Sequence, residues 1–108
     1  MIESNFQKSV REEIEQRFPE AIVLKNDANY IQGIPDLLVL YKDRWAALEV
    51  KKNKTATHRP NQDYYVEKMN DMSFAAFIFP ENKEDVLNAM EQSFQGCARR
   101  KSRISGSK

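Results

Sequence analysis

Three charged residues stand where charge is expensive. Asp36 opens the run DLLVLY, and Glu49 and Lys51 lie at the end of the run WAALEVK, both otherwise almost wholly apolar. A carboxylate inside an apolar strand is costly to desolvate, so its presence asks for a chemical reason. Side chains alternate along a strand, which puts Glu49 and Lys51 on one face and Leu48 and Val50 on the other. With a hairpin loop of two or four residues, Lys51 lies across from Asp36 and Glu49 across from Leu38, so the three charges share a face. A three-residue loop puts Asp36 on the wrong face unless a bulge corrects it. Two carboxylates at a diagonal strand distance of about 6 Å repel by about 2.8 kcal/mol at an effective dielectric of about 20. Lys51 offsets one charge, and a divalent cation bridging the acids offsets the rest. Magnesium suits such a site, because it prefers a few carboxylates plus water. A metal there polarises a phosphoryl oxygen and lowers the pKa of a bound water, while Lys51 positions that water or stabilises charge on phosphorus. The chemistry that fits is phosphodiester hydrolysis. The bland alternative is a surface charge cluster contributing about 0 to 1 kcal/mol. The apolar strands and the approach Gly33-Ile34-Pro35, which fixes the entry to Asp36, argue against it.

The elements that must position these residues are readable from periodicity. Phe6, Val10, Ile14 and Phe18 recur every four residues, which predicts an amphipathic helix over 4–18 that Pro19 ends. Ser4 followed by Gln7 has the form of a capping box. IVLK at 22–25 is a short strand, and KNDANYIQGIP at 25–35 has loop composition. Strands follow at 36–41 and 45–51, separated by Lys42, Asp43 and Arg44. After the polar stretch KNKTATHR, Pro60 suits the first position of a second helix, continued by Gln62, Tyr65, Val66 and Met69. FAAFIF at 74–79 reads as a buried strand, and 83–94 as a last helix with Val86, Leu87, Met90 and Phe94 on one side. The order α, β, β, β, α, β, α gives an α/β fold: a mixed sheet flanked by helices, its last connection right-handed.

Composition narrows the class. The 108 residues include 17 Lys and Arg, 16 Asp and Glu, one His and one Cys, with 41% apolar residues. That suits one domain over 1–98 followed by a basic, flexible tail over 99–108. No apolar run approaches the roughly 20 residues of a membrane span, and MIESNFQKS lacks the apolar stretch of a signal peptide. No membrane partner is therefore expected, and the expected location is cytoplasmic. A lone Cys97 excludes an internal disulfide framework or a thiolate zinc cluster within one chain, and a lone His58 excludes His-pair metal motifs. Residues 1–98 hold 12 basic and 16 acidic side chains, a balance of −4, while RRKSRISGSK holds five basic ones. As a phosphate-contacting arm the tail adds up to about 4.5 to the salt slope of binding. Its alternative is a solubilising tail or an expression remnant.

Gly33-Ile34-Pro35-Asp36, then 12 intervening residues, then Glu49-Val50-Lys51, resemble the signature of the PD-(D/E)xK nuclease superfamily. The αβββαβ order resembles its restriction-endonuclease-like core. Within the superfamily the sequence is most similar to the small stand-alone VRR-NUC nucleases of phages and bacteria, over roughly residues 2–80. The resemblance implies that Asp36 and Glu49 bind metal, with the backbone carbonyl of Val50 a third ligand, and that Lys51 is the catalytic lysine. Glu3 matches the N-terminal acidic position and Gln62 the helix glutamine near the active site. Phe79-Pro80-Glu81 departs from the Val-Arg-Arg of the family's name, which weakens the subfamily assignment more than the superfamily one.

The expected function is thus a magnesium-dependent DNA endonuclease, with manganese able to substitute. It would act as a homodimer with one active site per strand, on branched substrates such as four-way junctions, a shape that only the resemblance suggests. Lys52, Lys54 and Arg59, with Lys51, are the expected DNA contacts around the centre. Other classes remain open: a restriction- or repair-type nuclease on linear duplex, or a catalytically silent nucleic-acid-binding module. Individual residues have plainer readings too. Glu3 simply favours the positive end of a helix, and Glu13 is its rival as the N-terminal acid. Gln62 is an ordinary first-turn residue, His58 a surface residue, and Trp45 and Tyr41 hairpin packing rather than base-stacking platforms.

Overall fold

A computed structural model of the protein describes residues 2–27 and 29–96. Cys97 and the basic tail at 99–108 lie outside the described residues. The chain runs α1 (Glu3–Arg17), β1 (Ile22–Lys25), β2 (Leu37–Tyr41), β3 (Arg44–Val50), α2 (Pro60–Met72), β4 (Phe74–Ile78) and α3 (Lys83–Gln95). This is the element order that the periodicity predicts. The four strands form one mixed sheet in the order β1-β2-β3-β4. The first two pairings are antiparallel, and β3 pairs with β4 in parallel.

Alternation along the strands divides the apolar residues between two layers. Leu37, Val39, Ala46, Leu48, Val50 and Ile78 face α1 and α3, whose Phe6, Val10, Ile14, Leu87, Met90 and Phe94 complete the main core. Phe18 closes it with edge-on contacts to Tyr41 and Phe94, ring centres 5.1 and 5.4 Å away. The opposite face is thinner: Ala47, Ala75 and Val66 of α2, with the partly buried Leu38, Trp45, Met69 and Phe77. Asp36 and Glu49 belong to this α2 face.

Three local expectations are corrected. The helix begins at Glu3 with Ile2 as its N-cap, and no side chain caps it, so Ser4 and Gln7 do not form a capping box. Gln7 instead lies buried on the core side of α1. The hairpin loop is only Lys42-Asp43, because Lys42 adopts a left-handed φ of 56° and Arg44 joins the ladder opposite Tyr41. The register is consequently displaced by two residues from the expected one: Leu37 pairs with Leu48, and the next pair outward is Asp36 with Glu49, not Asp36 with Lys51. The parity is unchanged, so the three charges still share a face.

Opposite the site, Arg17 ties the helices of the main core together. Its guanidinium reaches Glu13 of its own helix at 3.1 Å, and Glu84, Asn88 and Glu91 of α3 at 2.8, 3.0 and 3.3 Å. Lys83 adds an ion pair to Glu13 at 2.8 Å. Its hydrogen bond holds the Glu13 carboxyl below the usual range. Among the described residues no helix is long and apolar enough to cross a membrane. Replacing Arg17 with Ala removes charge-assisted bonds from a largely covered side chain and should cost about 1 to 2 kcal/mol, read as a lowered thermal midpoint.

Candidate active site

The Asp36–Glu49 pair is built by the end of the hairpin ladder. Asn26 clamps the start of β2: its backbone N–H donates to the Asp36 carbonyl at 2.7 Å and its side-chain amide to the Pro35 carbonyl at 2.8 Å. Asp36 Oδ2 in turn accepts the Val50 N–H at 2.9 Å, taking the ladder bond that a backbone carbonyl would otherwise provide. In an extended strand a residue's N–H and C=O point to the same side. The Val50 carbonyl is therefore directed toward the same edge, where its register counterpart Pro35 has no N–H to offer.

Glu49 is 3% exposed and Lys51 8%, and with Gln7 they are the buried polar side chains among the described residues. Gln62, in the first turn of α2, connects them. Its Nε2 donates to Glu49 Oε2 at 2.9 Å, while its Oε1 accepts from Lys51 Nζ at 2.8 Å and from the Arg59 N–H at 3.0 Å. Lys51 also donates to the Thr57 carbonyl at 3.0 Å and lies 3.8 Å from Glu49 Oε2. One glutamine thus caps α2, orients the lysine and satisfies one carboxylate oxygen. The other oxygen, Glu49 Oε1, is buried without a hydrogen-bond partner.

Burial pushes the Glu49 carboxyl up to about 8, and the charge of Asp36 pushes the same way against the opposing pull of Lys51. Burial also raises Asp36, against the Val50 N–H and the charges of Lys51 and Lys25. Two raised carboxyls side by side hold a proton readily, or a cation in its place.

A cleft of about 210 Å³ opens over the pair, lined by Asp36, Glu49, Gln62, Arg59 and Asn61 on one side and by Asn29, Gln32, Gly33 and Ile34 of the β1–β2 loop on the other. Gly33 has φ +90°, and a Cβ there would stand 2.7 Å from the Asn61 carbonyl carbon and 2.9 Å from its oxygen. The two walls touch at this glycine.

The structure therefore gathers Asp36, Glu49, Lys51 and Gln62 into one cluster, with Val50 at its edge and Arg59 on the cleft wall. Lys51 does not line the cleft and meets it through Gln62. Glu3 is exposed in the first turn of α1, near enough for its charge to act weakly on Glu49. Glu13 is committed to Arg17 and Lys83. Lys52 and Lys54 are exposed on the loop before α2. Among the described residues no three His, Cys, Asp or Glu side chains gather as a metal cluster. The donors for a cation are thus two carboxylates and a strand carbonyl, with water completing the shell. Magnesium accepts such a set, and the unpartnered Glu49 Oε1 gives it a place. Asn26, Asn29, Gln32, Asn61 and the Thr57 carbonyl were not singled out from sequence. The one visible signal is the density of carboxamides around Gly33. The sequence matches no protein-family model and no curated protein.

Two outcomes follow. In chelator, the folded state keeps the Glu49 proton between its ordinary value of 4.5 and about 8, while the unfolded chain has released it. Stability should therefore fall as pH rises through that window, and Glu49→Gln should flatten the fall. Denaturation midpoints at pH 5 and pH 8.5 measure it, and equal slopes in both proteins would exonerate Glu49. Gly33→Ala should cost at least about 2 kcal/mol, from the left-handed backbone and the collision with Asn61. The same midpoint measurement reads this cost.

Proposed function

We propose that the chain is a magnesium-dependent DNA endonuclease of the PD-(D/E)xK type, acting as a homodimer on branched duplex DNA such as four-way junctions. What carries the reading is Asp36, one residue beyond the Leu37–Leu48 pair, beside a buried Glu49 whose Oε1 lacks a partner, next to the Gln62–Lys51 link. Those residues have the order and spacing of the superfamily signature, and the α/β sheet with α1 against it agrees with the superfamily's core. Asp36, Glu49 and the Val50 carbonyl would hold the magnesium, and manganese would serve with the same oxygen donors. When bound, the ion supplies Lewis-acid polarisation of a phosphoryl oxygen and a water of lowered pKa.

The chain's own groups do the rest. The Lys51 ammonium, fixed by Thr57 and Gln62, holds positive charge beside the carboxylate pair and offsets charge developing on the phosphoryl group. Gln62 restrains Glu49 and Lys51 so that neither must reorganise when substrate arrives. Arg59, on the cleft wall, would bind a flanking phosphate. Glu3, in the first turn of α1, adds a weak negative charge felt at Glu49. With a balance of −4 over residues 1–98, binding depends on local cations: Lys25 near Asp36, Lys52, Lys54 and Arg59. A single domain this small hardly surrounds a duplex, which favours two copies, one per strand.

The test is cleavage of labelled four-way-junction and linear duplex DNA with magnesium, manganese or chelator. Asp36→Ala should abolish metal-dependent cutting, and Lys51→Ala should lower it by at least about a hundredfold while DNA binding is largely kept. Gln62→Ala should lower the rate less than either. Cutting that survives Asp36→Ala, or binding without any cutting by the intact protein, would remove the nuclease reading. Equal rates on both substrates would favour action on linear duplex.

A further inference from the structure

The cleft also carries, besides the carboxylates, chemistry that phosphate hydrolysis does not use. Asn29, Gln32 and Asn61 line it with carboxamides, and none of these side chains has a hydrogen-bond partner among the described residues. Tyr30 lies between Asn29 and Gln32 in the chain, beside the lining residues rather than among them; its side chain is 84% exposed and packs into neither core layer. The Asn29 N–H donates to Asp27 Oδ1 at 2.9 Å, the Tyr30 N–H to the Asp27 carbonyl at 3.0 Å, and Gly33 is seated on Asn61 of α2.

A carboxamide offers a donor and an acceptor side by side, the pattern that matches the edge of a nucleobase. That edge is free only where the base is unpaired. An exposed tyrosine ring supplies the stacking face such a base has lost. The cleft is small, at about 210 Å³. Anions alone would not select this cleft, since Arg59 is its one cationic lining residue.

We infer that the β1–β2 loop and the first turn of α2 form a subsite for one unpaired nucleotide of a DNA strand, Tyr30 stacking on the base and Asn29, Gln32 and Asn61 bonding its edge. The inference rests on the nuclease reading for its position beside the cut phosphate, and it narrows the substrate. The strand must present an unstacked nucleotide at the site, as it does at a branch point and not within continuous duplex.

The test is binding of a short single-stranded DNA containing 2-aminopurine, followed by the fluorescence of that base, in chelator so that nothing is cut. The intact protein and Tyr30→Phe should bind and quench it. Tyr30→Ala should bind about tenfold more weakly without the quench. Tyr64→Ala, which alters an exposed tyrosine elsewhere on α2, should match the intact protein. An abasic nucleotide in place of 2-aminopurine should weaken the intact protein by about the same factor, and Tyr30→Ala by little more. Absence of binding by the intact protein, an undiminished affinity in Tyr30→Ala, or an equal loss in Tyr64→Ala would overturn the subsite. Binding that depends on Tyr30 in a protein that cuts no DNA would retain the subsite and remove the nuclease. Metal-dependent cutting of junctions with Tyr30→Ala binding unimpaired would do the reverse.

Discussion

A carboxylate is buried in a strand whose other inward residues are apolar, and the surroundings of Glu49 are organised around that cost. Alanines occupy the neighbouring positions Ala47 and Ala75, which leaves room on the α2 face for a helix terminus to approach. Gln62 and Lys51 supply one neutral donor and one cation, and together they answer only one of the two oxygens. A fully satisfied carboxylate would be a structural element with no remaining capacity. The unsatisfied oxygen keeps this one available for a ligand, at the expense of stability in its absence.

The fold was largely legible because its signals are local. Apolar spacing of four in α1 and α3, Pro60 at the start of α2, and strand runs bounded by polar turns each decide one element. The sequence also placed Asp36, Glu49, Lys51 and Gln62 together, through alternation and through resemblance. What it misjudged depended on exact backbone angles. Whether Arg44 belongs to the turn or to the ladder hinges on a left-handed Lys42, a conformation with no strong signature in a lysine. The missing Ser4 cap turns on where the first helical residue falls, a boundary that periodicity does not resolve.

The placement of the β1–β2 loop beside the site was illegible for another reason. Asn29 and Gln32 have the composition of any solvated loop, and only the long-range seating of Gly33 on Asn61 turns them into a wall. Glu13 shows the converse. By sequence it lay close to the inward face of α1 and rivalled Glu3, yet Lys83, 70 residues later in the chain, reaches it and removes it from the site. Both depend on partners distant in sequence, which no local pattern announces.

The two layers of the molecule are unequal, and the site belongs to the weaker one. α1 and α3 together bury seven apolar side chains with Phe18 beside them, whereas Val66 is the one buried residue of α2. Free energy of opening follows buried apolar area, so α2 forms the less protected layer against solvent exchange. Its excursions would carry Gln62 away from Glu49 and Lys51 while the sheet and the main core stay intact. The cluster is thereby separable from the fold: an opening of α2 alone would undo and re-form it without unfolding the sheet.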